Sequence, residues 1–458
     1  MSTANPSSSR GPATRSRGPA TRLQGSARSL TLEIAAEARA EWGFLTDVIA
    51  RSFRAHRELA SSARRAIAET VYGLVRMDRR LDAIVQELVG GEPLSPLARD
   101  ELKLAVYEVR SGVPVEAVTA DVRRHVGVRG EVDLSRAQAD DAGLGKRAGL
   151  DREAARLSYP TWLLELFQGD LGEAEALTLA DAMNRRAPLA VRVNTARIAP
   201  DALIERLAEE HVTARPATSS PVGLVFETRV NAFGLSAFRD GLFEVMDEGS
   251  QLVAELVAPP PGGRVLDACA GAGGKTLALG AGLGGKGRVT ALDTDGKKLE
   301  ELRRRARRAG LTNVEAKAVT ADPTSVGKAV RGGFDRVLVD APCSGLGTLR
   351  RNPEARWRLT RAVVDSFPAR QLALLVTYAP FVAVGGRLVY ATCTVNRAEN
   401  ERVVERFLGE RDDFVAVPVK EIWGRERALR FGDGMTLTLT PQQHDTDGFF
   451  AAVLRRVR

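Results

Sequence analysis

The sequence predicts a multidomain chain: an all-α region first, a small α/β segment next, and a C-terminal α/β domain on a mainly parallel sheet. Three observations carry this. Apolar residues recur at three-to-four spacing through the first third, with few strand-like alternations. From about residue 245 the rhythm changes to strand, turn, helix, and alternating β and α elements imply a parallel sheet. Each of the three cysteines closes a strand-like run, at 265–269, 339–343 and 389–393. Ligands gather at the carboxyl ends of strands in an open parallel sheet. If these three runs are neighbours, three thiols converge on one edge.

In order along the chain, residues 1–29 are rich in Ser, Arg, Gly, Pro and Ala, and repeat one heptad at 9–15 and 16–22. Nothing there can bury a core, so a disordered basic tail is expected. Residues 30–155 form the all-α module. Ala66, Ile67, Thr70, Val71 and Leu74 share a face, Leu81, Ile84, Val85 and Leu88 follow, and Leu102, Leu104, Ala105, Val106 and Val109 make a third stripe. A loop is expected at 127–146. Residues 156–245 make a small α/β linker domain, with helices at 161–170, 173–185 and 200–210 and a strand at 189–194. Residues 246–458 form the last domain. Its strands are expected at 264–269, 288–293, 313–319, 335–340 and 386–392, its helices near 274–283, 296–309, 360–383 and 396–410. Asn396 and Glu399 have capping-box spacing for the last helix. The apolar run 448–454 reads as an edge or final strand.

Composition narrows the function classes. Three cysteines with no C-x-x-C pair argue against a disulfide framework and a structural zinc site. No apolar run reaches the length of a membrane span. A monomer of the reducing cytoplasm is expected, with no membrane partner. The formal charge is +8, but five arginines and no acid fall in residues 1–30, which leaves the body at +3. Arg303, Arg304, Arg305, Arg307 and Arg308 read as a solvated helix face; Arg350 and Arg351 form a second cluster. His444 has no partner at ligand spacing, so metal catalysis is unsupported.

Three constellations carry chemistry. Gly271-Ala272-Gly273-Gly274-Lys275 follows a strand and opens a helix, whose unpaired N–H groups and close backbone suit a ligand. A P-loop needs Gly where Cys269 stands, and a dinucleotide fingerprint needs Gly where Thr276 stands. S-adenosyl-L-methionine remains, since its sites need no phosphate cradle; Asp293, ending the next strand, can accept both ribose hydroxyls. Asp340-Ala341-Pro342-Cys343 is the second constellation, with Pro342 stiffening the turn that presents Asp340 and Cys343 together. Thr392-Cys393-Thr394 is the third, and a helix beginning near Asn396 would aim its N-terminus at this thiol. Cys269 reads as packing or cofactor lining. Two thiols and a carboxylate fit methylation at carbon 5 of a pyrimidine. One thiolate adds to carbon 6, a base removes the carbon 5 proton, and a carboxyl holds ring N3.

These segments resemble the Sun/Nop-type RNA cytosine-C5 methyltransferases. The resemblance rests on 265–276, 291–295, 335–353, 390–400 and 445–454, and extends upstream to 64–82 and 102–109, which look like a NusB-like helical RNA-binding domain. It covers residues 30–458. It implies a Rossmann-like S-adenosyl-L-methionine-dependent methyltransferase domain acting on RNA, and the NusB-like domain implies the bacterial branch acting on 16S ribosomal RNA. It also implies that Cys393 is the nucleophile, that Cys343 assists release, and that Asp340 serves both catalysis and cofactor binding. Cys269, Ala270, Gly271, Ala272, Gly273, Gly274 and Lys275, with Asp293 and Asp322, would hold the cofactor. One departure is visible: the family turn reads Ala-Pro-Gly-Gly-Lys, where this chain has Gly271-Ala272-Gly273-Gly274-Lys275. Rival readings are a transfer-RNA methyltransferase and a non-catalytic RNA-binding or ribosome-assembly factor.

Overall fold

The computed structural model describes residues 22–125, 132–228 and 230–458. The chain divides into two compact units, with the boundary after Tyr159. Most of the expected tail, residues 1–21, and part of the expected loop, 126–131, lie outside the described residues.

The first unit is helical: α1 (Gly25–Glu41), α2 (Leu45–Ala55), α3 (Ser61–Arg76), α4 (Asp78–Leu88), α5 (Pro96–Arg110), α6 (Val115–His125) and α7 (Gly149–Leu157). The apolar stripes on α3, α4 and α5 are buried, and Leu74, Ile84 and Val106 share one core with Leu134 and Ala137. Ser95 starts α5 sharply, its hydroxyl accepting the Ala98 N–H at 3.2 Å with Pro96 at the first helical position. The tail boundary at residue 29 needs correction. Leu23 is buried, α1 begins at Gly25, and Arg28 is buried against Glu101 and Glu108 at 3.0 and 2.7 Å.

The second unit begins with helices Thr161–Leu171 and Glu173–Ala182, then a small sheet of β1 (Leu189–Val193), β2 (Ala214–Pro216), β3 (Gly223–Phe226) and β4 (Phe243–Val245). All its pairings are antiparallel, in the order β2-β3-β1-β4. Only β1 was expected. The others are three or four residues long, too short to show a period.

The large sheet contains β5 (Arg264–Asp267), β6 (Arg288–Asp293), β7 (Val314–Ala318), β8 (Phe334–Asp340), β9 (Val382–Thr392), β10 (Phe414–Val417), β11 (Leu437–Leu439) and β12 (Phe449–Arg456). Its path is β10-β12-β9-β8-β5-β6-β7, with β11 on β12. From β9 through β7 every pair is parallel; β12 enters antiparallel, Phe450 opposite Thr392. Strand order reverses between β5 and β8, which opens a crevice at their carboxyl ends. Side chains on both sheet faces are buried: Leu266, Val339 and Tyr390 belong to one core, Val265, Leu338 and Val389 to the other.

Two expected boundaries moved. The helix expected at 360–383 is two, Arg361–Asp365 and Phe367–Tyr378, the second opened by Pro368, and β9 already starts at Val382. The helix expected from 396 starts at Glu401, because Asn400 adopts φ −110°, ψ −100°, outside the helical region. β10 and β11 were not expected.

Candidate active site

Asp267, Asp340 and Thr392 end the neighbouring strands β5, β8 and β9, so the three cysteine turns open on one edge, as the sequence required. Register sets their level: Asp267 lies opposite Leu338 and Asp340 opposite Ala391. The Ala341 N–H donates to the Ala391 carbonyl at 2.8 Å, extending the pairing past Asp340.

At the β5 end, the turn 269–273 leads into the helix Gly274–Gly282. Gly273 has φ +88°, and a Cβ there would meet the Leu302 side chain at 2.5 Å. The backbone therefore packs where no other residue fits. Asp293 braces the turn, one oxygen accepting the Gly271 N–H and the other the Asp295 N–H, both at 2.8 Å. The Ala270 N–H donates to Leu292, and the Ala272 carbonyl accepts from Arg305 at 2.7 Å. Arg305 and Arg308 both pair with the buried Glu244, so part of that basic run is structural and not a solvated face. Arg350 and Arg351 are likewise engaged, with Asp445 and with Asp247 and Asp447.

Asp267 is a site residue that sequence reasoning missed. Its buried carboxyl accepts the Thr276 hydroxyl at 2.6 Å through one oxygen, while the other is buried without a hydrogen-bond partner. Burial pushes this carboxyl up to about 7, against the Thr276 bond. Desolvation also pushes the Cys269 thiol up, helped by the charges of Asp267, Asp340 and Asp293. Both effects favour the neutral Cys269 thiol. Lys275 crosses the crevice and donates to Asp340 at 2.6 Å, with its ammonium 5.4 Å from the Phe449 ring centroid. Burial would lower the Lys275 pKa, but Asp340 outweighs it and holds the ammonium charged.

Cys343 and Cys393 face each other with their sulfurs 3.4 Å apart, on residues fifty apart in sequence. The hydrogen bond to Cys393, then burial, then the Cys393 and Glu399 charges push the Cys343 thiol well up. Gly347 lets the loops interlock: its N–H donates to the Cys393 carbonyl at 3.0 Å, and an added Cβ would strike the Gly448 carbonyl. The helix expected to aim its N-terminus at Cys393 begins only at Glu401. Glu399 does not cap it; its buried carboxylate joins the two cysteine loops.

Asp322 lies in the turn after β7, the strand paired with β6. It is exposed, and its carboxylate accepts the N–H and hydroxyl of Thr324 at 2.9 and 2.6 Å, fixing the turn after β7. His444 contacts backbone groups of Thr440 and Arg430. Among the described residues, no cluster of His, Cys, Asp and Glu could hold a metal ion, and no helix is long and apolar enough to cross a membrane.

A family model described as 16S rRNA methyltransferase RsmB/F matches residues 254–455, and one described as an RsmF/B-like ferredoxin-like domain matches residues 159–232. A Synechocystis sp. protein described as a probable ribosomal RNA small subunit methyltransferase B is 34% identical over 94% of this chain and 99% of its own. A ribosomal RNA small subunit methyltransferase B from Xanthomonas campestris is 34% identical over 78% of this chain and 77% of its own. Among solved structures, a methyltransferase homolog from Pyrococcus horikoshii superposes with a TM-score of 0.57 at 27% identity, covering 67% of this chain and 98% of that one.

Proposed function

The chain belongs to the RsmB/F family of 16S rRNA methyltransferases, and on that premise we propose that it methylates carbon 5 of a cytosine in small-subunit ribosomal RNA through a covalent bond to Cys393. The observation that carries this is the 3.4 Å approach of two thiols in the turns that follow β8 and β9, at the carboxyl edge of a parallel sheet. A single thiol would serve for addition; the second answers the need for a base.

The residues present fit S-adenosyl-L-methionine. The glycine turn cannot accept a Cβ at Gly273, Asp293 holds its carboxylate at the strand end, and Asp267 offers a buried carboxyl oxygen with no protein partner. Residues 269–275, Asp293 and Asp340 would hold the cofactor, with Asp322 at the outer rim. When bound, it supplies an electrophilic methyl group on a sulfonium.

The chain's own residues do the rest. The Cys393 sulfur bonds to carbon 6 of the base, and electron density from the carbon 5–carbon 6 bond makes carbon 5 nucleophilic. Ring N3 takes up a solvent proton during this addition and donates it to Asp340, fixed by Lys275; N3 returns that proton to solvent when the ring double bond is restored. After carbon 5 takes the methyl, Cys343 removes its remaining proton. The C–H electrons restore the ring double bond, the carbon 6–sulfur bond breaks, and Cys393 leaves as thiolate. The thiol pair also sets the order. Cys343 holds its proton while it bonds to Cys393; once that sulfur is a thioether, Cys343 gives this proton up to solvent, and the resulting thiolate is the base. The N-terminal helical unit, read as NusB-like, would hold the RNA.

Two variants test this. Cys393→Ala abolishes methyl transfer to ribosomal RNA while cofactor affinity by calorimetry stays at the parent value. Cys343→Ala still adds and methylates but stalls at release, so a covalent protein–RNA species accumulates on a denaturing, reducing gel. Parent turnover in Cys393→Ala, or no slow band together with parent turnover in Cys343→Ala, removes the two-thiol scheme.

A further inference from the structure

Glu399 is fully buried, yet no cation hydrogen-bonds or ion-pairs with it among the described residues. One carboxylate oxygen accepts the Ser344 N–H at 2.8 Å and the Gln371 amide at 3.0 Å. The other accepts the Asn396 amide at 3.1 Å and the Thr394 hydroxyl at 3.4 Å. Ser344 follows Cys343 and Thr394 follows Cys393, so the two oxygens of one side chain grip the two cysteine loops separately. The loops are further tied by the 2.8 Å contact of the Ser344 and Thr394 hydroxyls. Gln371 also donates to the Pro342 carbonyl at 3.1 Å, and Tyr390 donates to the backbone carbonyl of Glu399 at 2.5 Å.

We propose that Glu399 is a positioning residue for methyl transfer: its carboxylate latches the Cys343 loop to the Cys393 loop and fixes the separation of the two sulfurs. This rests on the two-thiol reading above. A carboxylate suits the task because it only accepts, at both oxygens, and all four partners donate. An amide nitrogen turned toward Ser344 and Gln371 faces two donors; turned the other way, Thr394 can accept from it but the Asn396 amide cannot. The latch therefore loses bonds in either orientation, and most where it holds the Cys343 loop. A burial this complete is costly unless the acceptor is fully used, and here it is used on both reacting loops. The negative charge has a second effect, since it faces Cys343 and makes that thiol a stronger base. The other titratable groups coupled to Cys343 are Cys393 and Tyr390, while Lys275 lies toward Cys393.

Glu399→Gln tests the latch in the full chain with ribosomal RNA as substrate. Cofactor affinity by calorimetry stays at the parent value, because no cofactor-holding residue bonds to Glu399. Single-turnover methylation and release slow about 100-fold, the loss that a misplacement of about 1 Å produces. The acid limb of the pH profile for release moves to lower pH, because the carboxylate no longer raises the Cys343 pKa. Added to Cys343→Ala, Glu399→Gln causes no further loss in release, since its effect there runs through that thiol. Parent-like rates, or a slower rate with the pH profile unmoved and full additivity with Cys343→Ala, overturn the proposal. Should Glu399→Gln fail to fold, Gln371→Leu removes one donor and the tether to Pro342. It then slows release in the same direction by less, and parent-like release in it overturns the latch. The two-thiol reading fails separately: it falls when Cys343→Ala turns over normally, whatever Glu399→Gln does.

Discussion

Two sets of buried carboxylates, one in the helical unit and one between the cysteine loops, are stabilised in opposite ways. In the helical unit, Glu101 and Glu108 are buried against one guanidinium, Arg28, which bonds to both. At the catalytic edge, Glu399 is buried against two amides, a hydroxyl and a backbone N–H, all neutral. The difference follows from the neighbours. Cancelling charge is the cheaper solution where nothing reacts, because a paired ion loses less on leaving water. Beside Cys343 a guanidinium would favour the thiolate and weaken it as a base. Neutral donors satisfy the carboxylate and leave its negative field acting on the thiol. The helical unit thus uses charge for cohesion, and the catalytic edge uses it to tune proton affinity.

The largest stability effect should come from breaking the cancelled pair. Arg28→Met leaves two buried carboxylates with no cation and costs about 3–5 kcal/mol, read as a lower denaturant midpoint of the first unfolding transition. Burial already pushes the Glu108 carboxyl up in spite of Arg28. Without Arg28 it rises further, so the deficit is full above that raised value and vanishes below the unfolded value, where both states hold the proton. Deleting residues 1–29 reproduces the loss, because it removes Arg28. A variant as stable as the parent at neutral pH would mean that the pair contributes no cohesion.

Asp267 sharpens the comparison, because it has one hydroxyl donor where Glu399 has four donors. With so little support, its pKa rises from an ordinary 3.8 to about 7. The folded state then keeps a proton that the unfolded chain releases. Its contribution to stability is fully present below the unfolded value and is lost as pH rises through the folded one. The parent should therefore lose about 4 kcal/mol between about pH 4 and pH 7 from this group. Asp267→Asn, which keeps an acceptor for Thr276, should lack that component. Melting curves of both proteins across the window, compared as a difference, read it directly; parallel curves would mean that Asp267 is ionised in the folded state.

Legibility in sequence followed the range of the interactions. The β–α rhythm, the glycine turn and the three strand-end cysteines are local patterns, and the sheet makes β5, β8 and β9 neighbours, the condition under which those cysteines share one edge. Glu399 misled because Asn396 and Glu399 carry a local capping signal, while partners that matter, Ser344 and Gln371, lie 55 and 28 residues away. Arg28 was hidden similarly: it ends an arginine-rich stretch of low complexity, and its acids are 73 and 80 residues downstream. Asp267 sits inside an apolar strand run and looks like its polar end. The missing strands, β2 to β4, β10 and β11, span three or four residues and owe their existence to pairing.

The smallest effect belongs to Asp293, whose donors are backbone amides at a half-exposed strand end. Its carboxylate needs no cation because the Gly271 and Asp295 N–H groups already satisfy one lone pair on each oxygen. The remaining lone pairs would accept the ribose hydroxyls of a bound cofactor. Asp293→Ala leaves those hydroxyls and the turn amide unpaired, a loss of about 1–3 kcal/mol in cofactor binding. Kinetically this is a raised KM for S-adenosyl-L-methionine that saturating cofactor rescues, with kcat near the parent value. Asp293→Asn separates the two jobs, since an amide can still accept the Gly271 N–H but cannot accept from both hydroxyls. If Ala and Asn weaken binding equally, the ribose contact dominates. If Asn binds like the parent while Ala does not, Asp293 is a brace for the glycine turn. Unchanged affinity in both, by calorimetric titration, would place the cofactor elsewhere along the β5–β8 crevice.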